Sequence, residues 1–255
     1  MTSHILTEED NGVLIVTLNR PDRKNALTLS MYQDLAEALA RLDEMASLRA
    51  MVITGAGDCF TSGNDIGDFM ANPPKDENSP VIRFLHALHT TKKPLIAAVN
   101  GAGIGVGLTM LLHCDFVYMV AGSELQAPFT KLGLVPEAAS SLLLPRLTGH
   151  VRAAEILLLG KKLSAEDAKN IGLVNELTTA DALMDRAMEA ARTIAALPPE
   201  AIRLTKELLK DNTGAVIDRM REEGALFGER LKSPEAMEAF TAFMQKRTPD
   251  FSKFS

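Results

Sequence analysis

The tract from Pro94 to Ala121 narrows the possible folds more than any other part of the chain. Pro94–Asn100 (PLIAAVN) has the length and apolar character of a buried strand, and Gly101 closes it. Gly101-Ala102-Gly103-Ile104-Gly105-Val106-Gly107 then makes a tight turn into an apolar run that reaches Leu112, and Asp115–Ala121 (DFVYMVA) is strand-like again. Strand, glycine turn, apolar helix, strand is a βαβ rhythm, which calls for a parallel sheet covered on both faces.

The rest of the chain fits that rhythm. Gly12–Asn19 (GVLIVTLN) reads as a strand running into the turn Arg20-Pro21-Asp22. A helix starting near Ser30 carries Met31, Leu35, Ala38, Leu39 and Leu42 on one face, and Ala50–Thr54 (AMVIT) is a short buried strand. Ala71–Pro80 holds three prolines and reads as a loop of the kind that covers sites. After residue 150 helices dominate. Ser164 with Asp167 starts one that Gly172 can end, Leu173-Val174 returns briefly to strand character, and amphipathic stretches occupy Ala180–Ala196, Glu200–Asp211 and Ala215–Phe243. At 255 residues this is one α/β core, residues 1–198, with a helical carboxyl-terminal region, residues 199–255.

Charge and composition exclude several functions. The net charge of −6 argues against general nucleic-acid binding, and no apolar stretch approaches membrane-spanning length. Met1–Asp10 has no secretory pattern, so a cytoplasmic location is expected. Cys59 and Cys114 read as reduced thiols, and no zinc-ligand spacing occurs, so no metal is expected. A phosphorylated anionic substrate would need local cations, for which Arg20, Arg23 and Lys24, Lys92 and Lys93, and Lys246 and Arg247 are the candidates.

Three segments can carry chemistry. The glycine turn leaves backbone amides free at a helix start, yet it has no dinucleotide-binding spacing, and close helix packing explains its glycines equally well. Phe60-Thr61-Ser62-Gly63-Asn64-Asp65 is a second small-residue turn after a buried strand, and two such turns could converge two N–H groups on one carbonyl oxygen. Glu137 stands in an apolar, small-residue setting that would raise its pKa into the range useful for proton transfer, although a solvated helix-start glutamate after Pro136 also fits. His86 and His89, and His113-Cys114-Asp115, form neither a triad nor a metal motif and read as core or surface residues.

Taken together the chain resembles the enoyl-CoA hydratase/isomerase (crotonase) family over nearly its whole length. The resemblance is carried by Leu18-Asn19-Arg20-Pro21 with Asn25-Ala26-Leu27, Ser62-Gly63-Asn64-Asp65, Lys93-Pro94 leading to Val99-Asn100-Gly101, Gly105-Val106-Gly107, Cys114-Asp115, Lys131-Leu132-Gly133 with Pro136, and Gly160 followed by Ala165, Ala168 and Gly172-Leu173-Val174. It implies an α/β spiral of ββα turns, a helical carboxyl-terminal region involved in trimerisation and the CoA site, and assembly as homotrimers or dimers of trimers. It implies an acyl-CoA thioester substrate, with coenzyme A part of the substrate and no separate cofactor. The N–H groups of Asn64 and Val106 take the oxyanion-hole positions, where valine replaces the usual glycine and serves if its φ is negative. Arg23, Lys24, Ala26, Ser62 and Asp65, with Lys246 and Arg247, fall near the CoA moiety.

The two glutamates with which the family's hydratases activate water fall on Thr109 and Phe129, neither of which can act as acid or base. Leu132-Gly133-Leu134-Val135-Pro136-Glu137 with Ser140-Ser141 resembles the 3,2-enoyl-CoA isomerases, especially the peroxisomal type, which implies Glu137 as the single proton shuttle. The alternatives are a hydratase or another crotonase-type lyase or hydrolase, and, in another class, a non-catalytic acyl-CoA-binding protein.

Overall fold

The computed structural model describes residues 3–74, 76–210 and 213–254. An antiparallel hairpin, β1 (Ile5–Asp10) and β2 (Val13–Leu18), leads to α1 (Leu29–Glu44), whose first turn Thr28 caps by accepting from the Met31 N–H. The chain then winds in repeated units. Each places one strand in a large sheet, a second short strand in a small sheet, and then helix. The first unit is β3 (Ala50–Gly55), β4 (Cys59–Thr61), α2 (Ile66–Ala71) and α3 (Pro80–Thr90). The second is β5 (Leu95–Val99), β6 (Ala102–Ile104) and α4 (Val106–Thr109). The third is β7 (Phe116–Val120), β8 (Glu124–Gln126), α5 (Ser140–Thr148) and α6 (His150–Leu158). A closing unit, β9 (Leu163–Ser164), α7 (Ala165–Asn170), β10 (Glu176–Thr178) and α8 (Leu183–Ala196), precedes α9 (Pro199–Leu209), α10 (Thr213–Arg230) and α11 (Pro234–Met244). This is the ββα spiral with a helical carboxyl-terminal region that the resemblance implied.

The large sheet runs β1-β2-β3-β5-β7-β10 and is parallel from β2 onward, while the small sheet runs β4-β6-β8-β9. Alternate residues of the large sheet serve two cores, which is why its central strands are apolar throughout. Met51, Ile53, Leu95, Ala97 and Val99 pack toward α1 and α3, and Ala50, Val52, Ile96 and Ala98 pack toward Leu183, Ala187, Ala191 and Ile194 of α8.

Four sequence expectations change. The glycine tract after β5 does not turn directly into helix but first forms β6 in the small sheet, and α4 is only four residues long before a 3-10 turn over Met110–His113. Leu173 and Val174 are buried without being strand, which begins at Glu176. The stretch Ala215–Phe243 is two helices, because Pro234 cannot continue one and Ser233 caps the next. The helix expected over Glu200–Asp211 ends at Leu209, Asp211 lying outside the described residues. Among the described residues no helix is long and apolar enough to cross a membrane.

Candidate active site

β4, β6 and β8 are parallel, so their carboxyl ends deliver three loops to one edge of the small sheet, the usual place for a ligand in parallel structures. Ser62-Gly63-Asn64 follows β4, Gly105-Val106 follows β6, and Pro128-Phe129 follows β8. All of them line one cleft of about 90 Å3, whose other walls include Phe69, Leu134, Phe227 and Phe240.

Among the described residues, two peptide N–H groups that border this cleft have no acceptor. Leu27 bridges the residues on either side of Asn64, its N–H donating to Gly63 O at 2.8 Å and its carbonyl accepting from Asp65 N at 2.9 Å. That pairing turns the Asn64 N–H away from Leu27, and nothing among the described residues accepts it. The Tyr32 hydroxyl donates to the Asn64 side-chain oxygen and fixes the loop. Val106 is the first residue of α4, so its N–H is one of the orphans of a helix start. Its φ is not positive, which meets the condition under which valine can stand where glycine is usual. Gly105 makes the preceding reversal at φ 57 and ψ −116, which a side chain would strain. Gly107 serves close packing instead, since a Cβ there would lie 2.6 Å from Thr61 Cγ2.

Glu137 is a buried carboxyl, 9% exposed, and not a solvated helix-start residue. Thr109 Oγ1 donates to its Oε1 at 2.5 Å. Thr109 is three residues after Val106 and so on the same face of α4, which ties Glu137 to the helix start carrying the free amide. Burial pushes the Glu137 pKa from 4.5 up to about 7; the Thr109 hydrogen bond pulls it down and the charge of Glu223 pushes it further up. Glu137 does not itself line the cleft and connects to it through Thr109 and through Leu134 on its own loop.

Residues 8–253 match the enoyl-CoA hydratase/isomerase family. The chain belongs to that family. It is 35% identical over 250 residues to enoyl-CoA delta isomerase 2 of Rattus norvegicus, covering 95% of this chain and 64% of that protein, just under two thirds of its length. It is 34% identical over 263 residues to 1,2-epoxyphenylacetyl-CoA isomerase of Escherichia coli (strain K12), covering 99% of both. Among solved structures it is similar to an enoyl-CoA hydratase/isomerase from Pseudoalteromonas atlantica T6c, with TM-score 0.93, 42% identity, and 98% and 100% of the two chains covered. The protein is therefore an acyl-CoA-processing enzyme of the crotonase superfamily.

Within this enoyl-CoA hydratase/isomerase family member, the first group of residues expected near CoA is gathered beside Asn64. Ser62 N donates to Lys24 O at 2.9 Å and Thr61 Oγ1 to Asn25 O at 2.7 Å, so the turn holding Arg23, Lys24 and Ala26 lies against the loop holding Ser62 and Asp65. Arg23 and Lys24 are exposed. Arg20 donates to Ala26 O at 3.0 Å and to Asp65 at 2.8 Å, and Asp65 also caps α2, so both side chains already have structural partners. Lys93 Nζ donates to Leu42 O at 2.6 Å and Met45 O at 2.7 Å at the end of α1, so it already has structural partners. Lys246 and Arg247 follow α11 and are exposed; Arg247 pairs with Glu238 at 2.6 Å, and among the described residues no hydrogen bond or ion pair joins either to the 20–27 turn. Phe84 and Leu88 line a separate internal void and not this cleft. Sequence reasoning missed Phe227, Phe240 and Glu223, because only the return of α10 and α11 onto the loops places them here.

Proposed function

We propose that this enzyme is a 3,2-enoyl-CoA isomerase in which Glu137 moves the proton. One observation carries the reading. The buried carboxyl titrating near neutrality is bonded to Thr109, the residue that stands where a hydratase would have its first water-activating glutamate. The second such position is Phe129, a buried wall of the cleft that supports exclusion of water. The Glu137 carboxylate takes a proton from C2 of a 3-enoyl thioester, and the C2–H electrons delocalise into a dienolate. Its oxygen charge accepts hydrogen bonds from the N–H groups of Asn64 and Val106. The Glu137 carboxylic acid then protonates C4, restoring the carboxylate and leaving the 2-enoyl thioester. One base suffices where C2 and C4 present the same face.

In this reading Arg23, Lys24, Ala26 and Ser62 meet the CoA moiety, and Lys246 and Arg247 meet its phosphates from a neighbouring subunit of a trimer. Product analysis after incubation with a 3-enoyl-CoA tests the reading. The expected product is the 2-enoyl-CoA, with turnover falling by roughly 10³-fold or more in Glu137→Gln while acyl-CoA affinity holds. Accumulation of a 3-hydroxyacyl-CoA without double-bond migration, or a fully active Glu137→Gln, would overturn it.

A further inference from the structure

The turn that carries Glu137 needs outside support. Ala138 and Ala139 are consecutive left-handed residues, with φ of 59 and 53, and a Cβ disfavours that conformation at both. Ser140 Oγ donates to Glu137 O at 2.6 Å, and the neutral His113 ring bonds Ala138 O through Nε2 at 2.8 Å. The remaining hold comes from Glu223 on α10, whose side chain is 4% exposed. Its Oε2 accepts from Ala139 N at 2.6 Å and its Oε1 from Ser141 N at 3.0 Å. These are orphan amides at the start of α5. Burial raises the Glu223 pKa, and the hydrogen bonds from Ser141 and Ala139, with the Arg219 charge, pull it back toward the ionised form, in which both oxygens accept. Glu223 lies one helical turn before Phe227, so the face of α10 that walls the cleft is also the face that grips the turn.

We propose that Glu223 is a positioning residue for Glu137: it clamps the left-handed turn that presents the base and sets a second negative charge close to it. This rests on the reading of Glu137 as the proton shuttle. The charge has a consequence for chemistry, because it adds to burial in keeping Glu137 easier to protonate than an ordinary glutamate. Around the pair stand Arg219, one turn earlier on α10 and within 3.4 Å of Ser141 Oγ, Thr109 from α4, and Tyr32 from α1, which burial keeps neutral. His113 is also neutral, its pKa pushed down to about 3 chiefly by burial.

Two measurements test the proposal. In the unaltered protein, amide hydrogen exchange at Ala139 and Ser141 should be slow near neutral pH; exchange as fast as in an open loop overturns the clamp and requires no turnover. Glu223→Gln keeps the shape but has one oxygen for two N–H donors and no charge. Its kcat should fall roughly 10- to 100-fold with KM within about twofold, as expected for a displaced base. The pH midpoint of kcat/KM should also move down, which loss of packing alone would not cause. An unchanged kcat, or an unmoved midpoint, overturns the assignment. Should the unaltered enzyme not isomerise 3-enoyl-CoA, the functional reading fails by itself. Titration of the Glu137 carboxyl by 13C NMR in both proteins then reads the Glu223 charge without turnover, with a lower midpoint in Glu223→Gln expected and an equal one overturning it.

Discussion

At the scale of single residues, the ionisation of Glu137 has consequences for stability as well as chemistry. Its folded pKa of about 7 lies above the ordinary 4.5, so the folded state favours the protonated form, and that preference is fully present below 4.5 and lost as pH rises through 7. The gap is worth about 3 kcal/mol at about 1.4 kcal/mol per pH unit. Glu137→Gln should therefore be more stable than the parent by about that much at pH 8, and equally stable below pH 4.5. Urea denaturation at the two pH values checks this, and equal stabilities at pH 8 would contradict it. His89 and His113 act with the opposite sign. They pack edge to face at 5.5 Å, and burial lowers their pKa values from 6.5 to about 4 and about 3. Their contribution is full above 6.5 and lost as pH falls toward 3, so acid should destabilise the fold while alkali opposes Glu137. The apolar neighbourhood of Glu137 was legible from adjacent residues, whereas its bond to Thr109 and the grip of Glu223, 86 positions away, exist only after folding.

At the scale of elements, α10 decides the shape of the cleft. Phe227 stands between Phe69 and Phe129, with ring centroids 6.0 Å and 6.4 Å away and both contacts edge-on. Replacing it with alanine removes the hub of this aromatic wall. Phe227→Ala should lower stability by about 3 kcal/mol and raise the kcat/KM ratio of longer to shorter acyl chains by roughly tenfold. Competition between two acyl-CoA substrates of different length reads the ratio, and an unchanged preference would remove Phe227 from the acyl site. The elements that were legible are those with a strong period, such as α1, β2, β3 and β5. The small-sheet strands were not, because β4, β6 and β8 have three residues each and β6 contains a glycine, so no period can develop. Yet these strands aim all three site loops. Motif order singled out Asn64 and Val106 as candidates, while the reason that they share a cleft lay in short parallel pairing invisible to patterning.

At the scale of the whole molecule, the sheet's two cores close within one chain, but the carboxyl-terminal helices leave an apolar face uncovered. On α9, Lys206 points inward to Asp115 at 2.7 Å and to Lys93 O at 2.7 Å, whereas Leu208 and Leu209 are 78% and 79% exposed. Phe243 and Met244 at the end of α11 are exposed as well. A face of this kind accords with the proposed trimer, in which a neighbour covers it. Because the cores do not depend on that face, Leu208→Asp with Leu209→Asp should give a folded monomer, with native circular dichroism and a sedimentation mass near 27.6 kDa. Among the described residues no hydrogen bond or ion pair joins Lys246 or Arg247 to the Arg23–Lys24 turn, so if they reach CoA from the adjacent subunit the monomer should bind acyl-CoA roughly tenfold more weakly, while Lys246→Ala in the parent should weaken binding without changing its mass. A monomer that binds as tightly as the assembled protein would mean that the CoA site is complete in one chain, and that Arg247 serves only its pairing with Glu238.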